Sequence, residues 1–142
     1  MDSIMLVEDN PLDGMMIEDV FENAQIAATL FTVENAHDAI DVAQRREPVL
    51  VLVDLDLEDH GGWDTLCRLK KEPRTRDIPV WSMSSRDFED APVAAAGISF
   101  DEYLYKPIDT RELTRRVHQV IENAHKKGTS KAGPRQTTTT SV

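Results

Sequence analysis

Residues 49–53 are apolar at every position, and the run then ends in carboxylates: Val49 to Gly62 reads VLVLVDLDLEDHGG. A strand apolar on both sides is one covered on both faces, which is the condition of a central strand in a parallel sheet. The acids that follow do nothing for such a core, because burying an unpartnered charge is costly. Either they sit at a solvent edge, or the strand exists to hold one of them in a site.

Four further short apolar runs surround this one, at 3–7, 28–33, 78–84 and 102–106, with the central run counted as 48–54. Segments of helical spacing lie between them. The first carries Leu12, Met15, Met16, Val20 and Phe21 on one predicted face, after Asn10 as a capping side chain and Pro11 at the first helical position. Asp13 falls in its first turn, where the helix dipole favours an acid. Further helices are expected at 36–46, 63–71, 87–96 and 110–126, with Leu113, Val117, Val120 and Ile121 along one side of the last. Strands alternating with helices predict a doubly wound α/β fold, with five parallel strands, five helices and a flavodoxin-like count. In such sheets the ligand site lies at the carboxyl ends of the strands, which is where Asp54 falls.

Composition narrows the function. The 142 residues fit one compact domain, and 40% hydrophobic content is enough for a core. Residues 1–126 form the expected domain, and the Gly-, Ser- and Thr-rich 127–142 reads as a disordered tail, too short for an output domain. The net charge of −10 argues against nucleic acid as a direct partner. No apolar stretch predicts a membrane span, no leader is apparent, and the single Cys67 suits a reducing, cytoplasmic setting. The four histidines have no metal-ligand spacing.

The polar residues at the predicted strand ends form one set. Glu8 and Asp9 follow the first strand, Asp54 ends the third, Ser84 ends the fourth, and Lys106 ends the fifth. An oxygen-rich acidic cluster suits Mg²⁺, and a lysine with a hydroxyl suits a phosphoryl group. Singly, each residue is ordinary: a solvated acid, a turn serine, a surface lysine. Together they fall at the same end of different strands.

The stretches LVEDN, VLVDLDL, PVWSMSS and YLYKPI resemble the receiver domain of two-component response regulators, over residues 3 to about 126. The resemblance implies that Asp54 is the phosphoacceptor. It implies Asp9 as a direct Mg²⁺ ligand, Glu8 as a ligand through water, and the backbone carbonyl of Asp56 as a further ligand. Ser84 and Lys106 bind the phosphoryl group, Tyr103 takes the place of the aromatic switch residue, and Lys106–Pro107 is expected to be cis. EDNPLD is similar to single-domain regulators paired with bacterial phytochromes. The implied partner is then a sensor histidine kinase, of phytochrome type, or a histidine phosphotransfer protein. The kinase is expected to dock on the region of Asp13, Gly14, Met15 and Ile17 with Pro107 and Ile108. Homodimerisation is expected through the last helix with the fourth helix and fifth strand, by pairing Arg111, Arg115 and Arg116 with Asp101 and Glu102. Asp56 and Arg86 would close over the phosphoryl group and slow its loss. Two departures stand out: Glu58 replaces a usual proline, and Pro92 interrupts the fourth helix.

The function expected is thus a phosphorylation-controlled binding module with self-catalysed transfer and slow autodephosphorylation, not an enzyme. The alternative is a haloacid-dehalogenase-type phosphatase, whose Asp-x-Asp motif VLVDLDLED also resembles, with Asp54 as nucleophile. That motif belongs on a first strand, lacks an acid at the place of Glu58, needs more acids after the lysine, and gives Glu8 and Asp9 no role.

Overall fold

The computed structural model describes residues 2–56, 61–85 and 97–132. Five parallel strands form one sheet, in the order β2-β1-β3-β4-β5: β1 Ser3–Val7, β2 Thr29–Val33, β3 Leu50–Asp54, β4 Val80–Ser84 and β5 Glu102–Tyr105. The described helices are α1 Pro11–Asn23, α2 Ala36–Arg46, α3 Gly61–Lys71 and α4 Thr110–Ala132. This is the expected doubly wound, flavodoxin-like architecture. The helix expected at 87–96, with Pro92, and the loop residue Glu58 lie outside the described residues. The last helix runs to Ala132, past the end expected at 126.

Alternation along the strands builds two cores. Ile4, Leu6, Leu50, Leu52, Trp81 and Met83 pack against α1 and α4 through Ile17, Phe21, Leu113, Val117 and Ile121. Met5, Val7, Val51, Val53 and Val80 face the other way, onto Ala39 and Ala43 of α2 and Leu66 and Leu69 of α3. β3 is buried at every position, as its composition predicts. The strand order reverses between β1 and β3, and the crevice at that switch point opens at their carboxyl ends.

α1 begins as expected. Asn10 accepts the Leu12 N–H at 2.9 Å, and Pro11 opens the helix. Its orientation differs from the expected one. Gly14, Ile17 and Phe21 are the buried residues, whereas Leu12, Met15 and Met16 are 75, 56 and 47% exposed. Gly14 lies against the end of β1, where a Cβ would stand in ordinary contact at 3.9 Å from Glu8 Cγ, and the methionines turn outward.

Gly62 is a second close approach. A Cβ at this position would overlap Leu55 Cδ2 and stand 3.3 Å from Val53 Cγ1. Overfilling a packed core by one methyl group costs about 1–3 kcal/mol. Gly62→Ala is therefore expected to lower the stability measured by urea unfolding by that amount; an unchanged midpoint would show that Leu55 can move aside freely.

Four of the charges expected to pair across a two-fold axis, Arg115, Arg116, Asp101 and Glu102, find partners inside the chain. Arg116 Nη1 meets Glu102 Oε1 at 2.6 Å and its Nε meets Glu112 at 2.9 Å, while Arg115 also pairs with Glu112. Asp101 accepts from Lys70 Nζ at 3.0 Å and from the Val80 N–H at 2.8 Å. Among the described residues, no helix is long and apolar enough to cross a membrane.

Candidate phosphoacceptor and metal site

Asp54 closes β3 and is 1% exposed. Its two oxygens are separately held. Oδ1 accepts the Asp56 N–H at 2.7 Å, and Oδ2 accepts from Lys106 Nζ at 2.9 Å. Lys106 reaches it from the end of β5, where its own N–H is donated to the Ser84 carbonyl at 2.7 Å and the Lys106–Pro107 peptide is cis, as expected. The strand ladder thus delivers the lysine, Ser84 and Asp54 to one rim.

The acids gather more tightly than the sequence suggests. One carboxylate oxygen from each of Glu8, Asp13 and Asp54 lies within 4.8 Å of the other two. Asp13 reads in sequence as a dipole-favoured acid and as part of the expected kinase contact, not as a member of the acid cluster. Because the helix starts straight after β1 at Asn10-Pro11, its first turn brings Asp13 back over Glu8, and that short connection is the signal that locates it. Asp9 is half-buried beside this group and lines, with Glu8, Gly14 and Thr32, an opening of about 320 Å³ between α1 and β2.

Electrostatics register the crowding. Glu8, 4% exposed, has its carboxyl pushed up to about 8. Burial is the chief cause, and the neighbouring Asp54 adds to it; the Asn10 N–H and Lys106 oppose it only partly. Lys106 is held above its usual range because Asp54 and Asp56 outweigh the effect of its burial. Burial alone would raise Asp56, but the Ser85 N–H and Lys106 hold its carboxyl below the ordinary range. Among the described residues, Lys106 meets Asp54 and Asp56 while Glu8 and Asp13 add further carboxyl groups, a set made entirely of hard oxygen donors. That set fits Mg²⁺, which takes a few carboxylates and keeps water on its remaining positions.

The side chain of Asp56 reaches the ends of β4 and β5. Its Oδ2 lies 3.1 Å from Lys106 Nζ and accepts the Ser85 N–H at 3.0 Å, and its Oδ1 accepts from Ser84 Oγ at 3.4 Å. Arg86, its expected partner, lies outside the described residues. Tyr103 is half-buried and sits edge-on to Phe100 with ring centres 5.7 Å apart, and Phe100 in turn meets Trp63 at 4.9 Å.

The family model of the response regulator receiver domain matches residues 4–118. The chain belongs to the response regulator receiver family. It is 31% identical over 118 residues to the transcriptional activator protein IrlR of Burkholderia pseudomallei, a match covering 83% of this chain and 49% of IrlR. The receiver thus spans about half the length of that relative. Its fold is similar to the signal receiver domain of a DNA-binding response regulator from Colwellia psychrerythraea, with a TM-score of 0.75, 24% identity, and coverage of 86% of this chain and 99% of the other. It is also similar to the Mn²⁺-bound form of response regulator Rcp1, with a TM-score of 0.66, 26% identity, and coverage of 84% and 91%. Receiver domains are signalling modules of two-component systems, bind Mg²⁺ at the acidic site, and interact with histidine kinases or phosphotransfer proteins. The phosphatase alternative finds no support in these relationships.

Proposed function

We propose that this receiver accepts a phosphoryl group on Asp54 from the phosphohistidine of a sensor kinase or a phosphotransfer protein, in the cytoplasm. The observation that carries the reading is the state of Asp54: a buried carboxylate at a strand end, 2.9 Å from Lys106 and inside a cluster of acids. An Asp54 oxygen attacks phosphorus in line, the phosphorus–nitrogen bond breaks, and the histidine leaves with its electron pair. Lys106 moves from the carboxylate to the transferring oxygens. Asp9 would hold Mg²⁺ directly, with the Asp56 carbonyl, Asp54 and, through water, Glu8, and the metal would supply charge neutralisation. Ser84 then follows the phosphoryl group and Tyr103 reports the change to the surface. Asp56 and Arg86 tune a slow loss of the phosphoryl group.

The exposed Leu12, Met15 and Met16 support a kinase contact on α1 beside Pro107. Methionines adapt well to a partner surface. Gly14 and Ile17 are buried and position that face without forming it. The EDNPLD start supports a phytochrome-type kinase. Homodimerisation through α4 and β5 would exchange the internal Arg116–Glu102 pair for one between copies.

Acetyl phosphate with Mg²⁺ is expected to add one phosphoryl group, read by intact mass. Asp54→Asn abolishes the addition, and EDTA prevents it. Labelling of the Asp54→Asn protein to the parent level would refute the assignment.

A further inference from the structure

Three hydrogen-bond donors converge beside Asp54: Ser84 Oγ, the Ser85 N–H and Lys106 Nζ. All three are already engaged by one side chain, the carboxylate of Asp56, at 3.4, 3.0 and 3.1 Å. Asp56 is tied to Asp54 by a second route, since its own N–H is donated to Asp54 Oδ1. An anion that satisfies a hydroxyl, a backbone N–H and an ammonium at once, within reach of the acceptor, has the recognition chemistry of a phosphoryl group, which presents several acceptor oxygens to just such donors.

We propose that the Asp56 carboxylate is a built-in occupant of the phosphoryl-oxygen site, competing with the phosphoryl group at Asp54 for Ser84, Ser85 and Lys106. The inference rests on Asp54 being the phosphoacceptor. Phosphorylation must then break the Asp56 contacts and turn that carboxylate away from a new dianion. Two consequences follow. The donors are assembled before any phosphoryl group arrives, because Asp56 already draws them together. Entry of a phosphoryl group is also opposed, because donors in charge-assisted bonds must be released first. Lys106 is shared by Asp54 and Asp56, so the competition includes a cation that both carboxylates use.

A purely structural role is the rival account, with Asp56 clamping the end of β3 to the end of β4. The two accounts predict opposite signs. The test uses the whole chain at saturating Mg²⁺, with beryllofluoride as the phosphoryl probe and tryptophan fluorescence as the readout. Asp56→Ala removes the occupant while keeping its backbone carbonyl, and Asp56→Asn keeps its shape but removes its charge. Competition predicts that Asp56→Ala binds beryllofluoride about tenfold more tightly and is labelled by acetyl phosphate about tenfold faster, with Asp56→Asn between Ala and the parent. The Ser85 amide resonance supplies a readout that stability does not move. Beryllofluoride should shift it less in the parent, where one anion replaces another, than in Asp56→Ala, where the amide starts without one. Binding that is equal or weaker in both variants would overturn the proposal. Failure of the parent itself to take a phosphoryl group on Asp54 is a different result, and refutes the phosphoacceptor reading instead.

Discussion

Lys106→Met is expected to cost the metal-free protein about 3–5 kcal/mol, the usual penalty for removing one partner of a buried ion pair. The side chain is 20% exposed, and the carboxylate it meets at 2.9 Å is 1% exposed, so water cannot replace it at Asp54. Methionine preserves the bulk of the chain, which confines the change to the charge. Asp56 loses its cation in the same step, and Glu8 loses the attraction that partly offsets its burial. Because Asp54 and Asp56 raise the lysine above its ordinary 10.5, its stabilisation is complete below that value and fades only as pH rises through the higher folded value. The loss should therefore be the same across the neutral range. Mg²⁺ supplies positive charge to the same carboxylates, so the difference between parent and variant should shrink when urea unfolding is repeated with Mg²⁺. Phosphoryl transfer should remain slow even then, by about 10²–10³-fold, since a positioned donor to the developing charge is missing. A loss below about 1 kcal/mol in EDTA, the scale of a surface pair, would show that the Lys106 contact is solvated.

What was legible in the sequence follows from what kind of force places each residue. β3 could be read because burial on both faces demands an apolar residue at every position, and its carboxyl end then fixes Asp54 at the rim. Lys106 and Ser84 were found by the same logic, because each ends an apolar run that pairs into the sheet. The face of α1 is not legible because hydropathy gives weight to Met15 and Met16 and none to Gly14, although the buried face runs through Gly14, Ile17 and Phe21. Asp13 joins the acids through a tight strand-to-helix connection, a feature of geometry and not of periodicity. The reach of Asp56 to Ser84, Ser85 and Lys106 depends on which way one carboxylate turns at a strand end, and no pattern of residue types encodes that. Whether Arg116 pairs with Glu102 of its own chain or of another copy is equally invisible to charge counting.

The binding of Mg²⁺ should weaken about fiftyfold between pH 8 and pH 6, and Glu8 is the reason. Its carboxyl is raised from an ordinary 4.5 to about 8, first by burial and then by Asp54. Near neutral pH the metal-free protein therefore holds a proton there that the unfolded chain has already released. The stability this proton confers is fully present below about pH 4.5 and is lost progressively as pH rises through about 8, so metal-free protein should unfold more readily at pH 8.5 than at pH 5.5. A cation arriving beside Glu8 and Asp54 favours the ionised form and must expel that proton. Near pH 6 the expulsion is opposed by one proton per metal, which gives the steep dependence; above pH 8 the proton is already gone and the affinity levels off. Calorimetric titration with Mg²⁺ at pH 6.5, in two buffers of different ionisation enthalpy, should report release of close to one proton. Glu8→Gln has no proton to release at this position. It should bind Mg²⁺ with little pH dependence between pH 6 and 8 and lose the instability of the metal-free protein at high pH, while any role of Glu8 in holding a metal-bound water would appear as a uniform weakening at every pH. An affinity in the parent that stays flat from pH 6 to 8, with no proton released, would place the pressure of the crowded carboxylates somewhere other than Glu8.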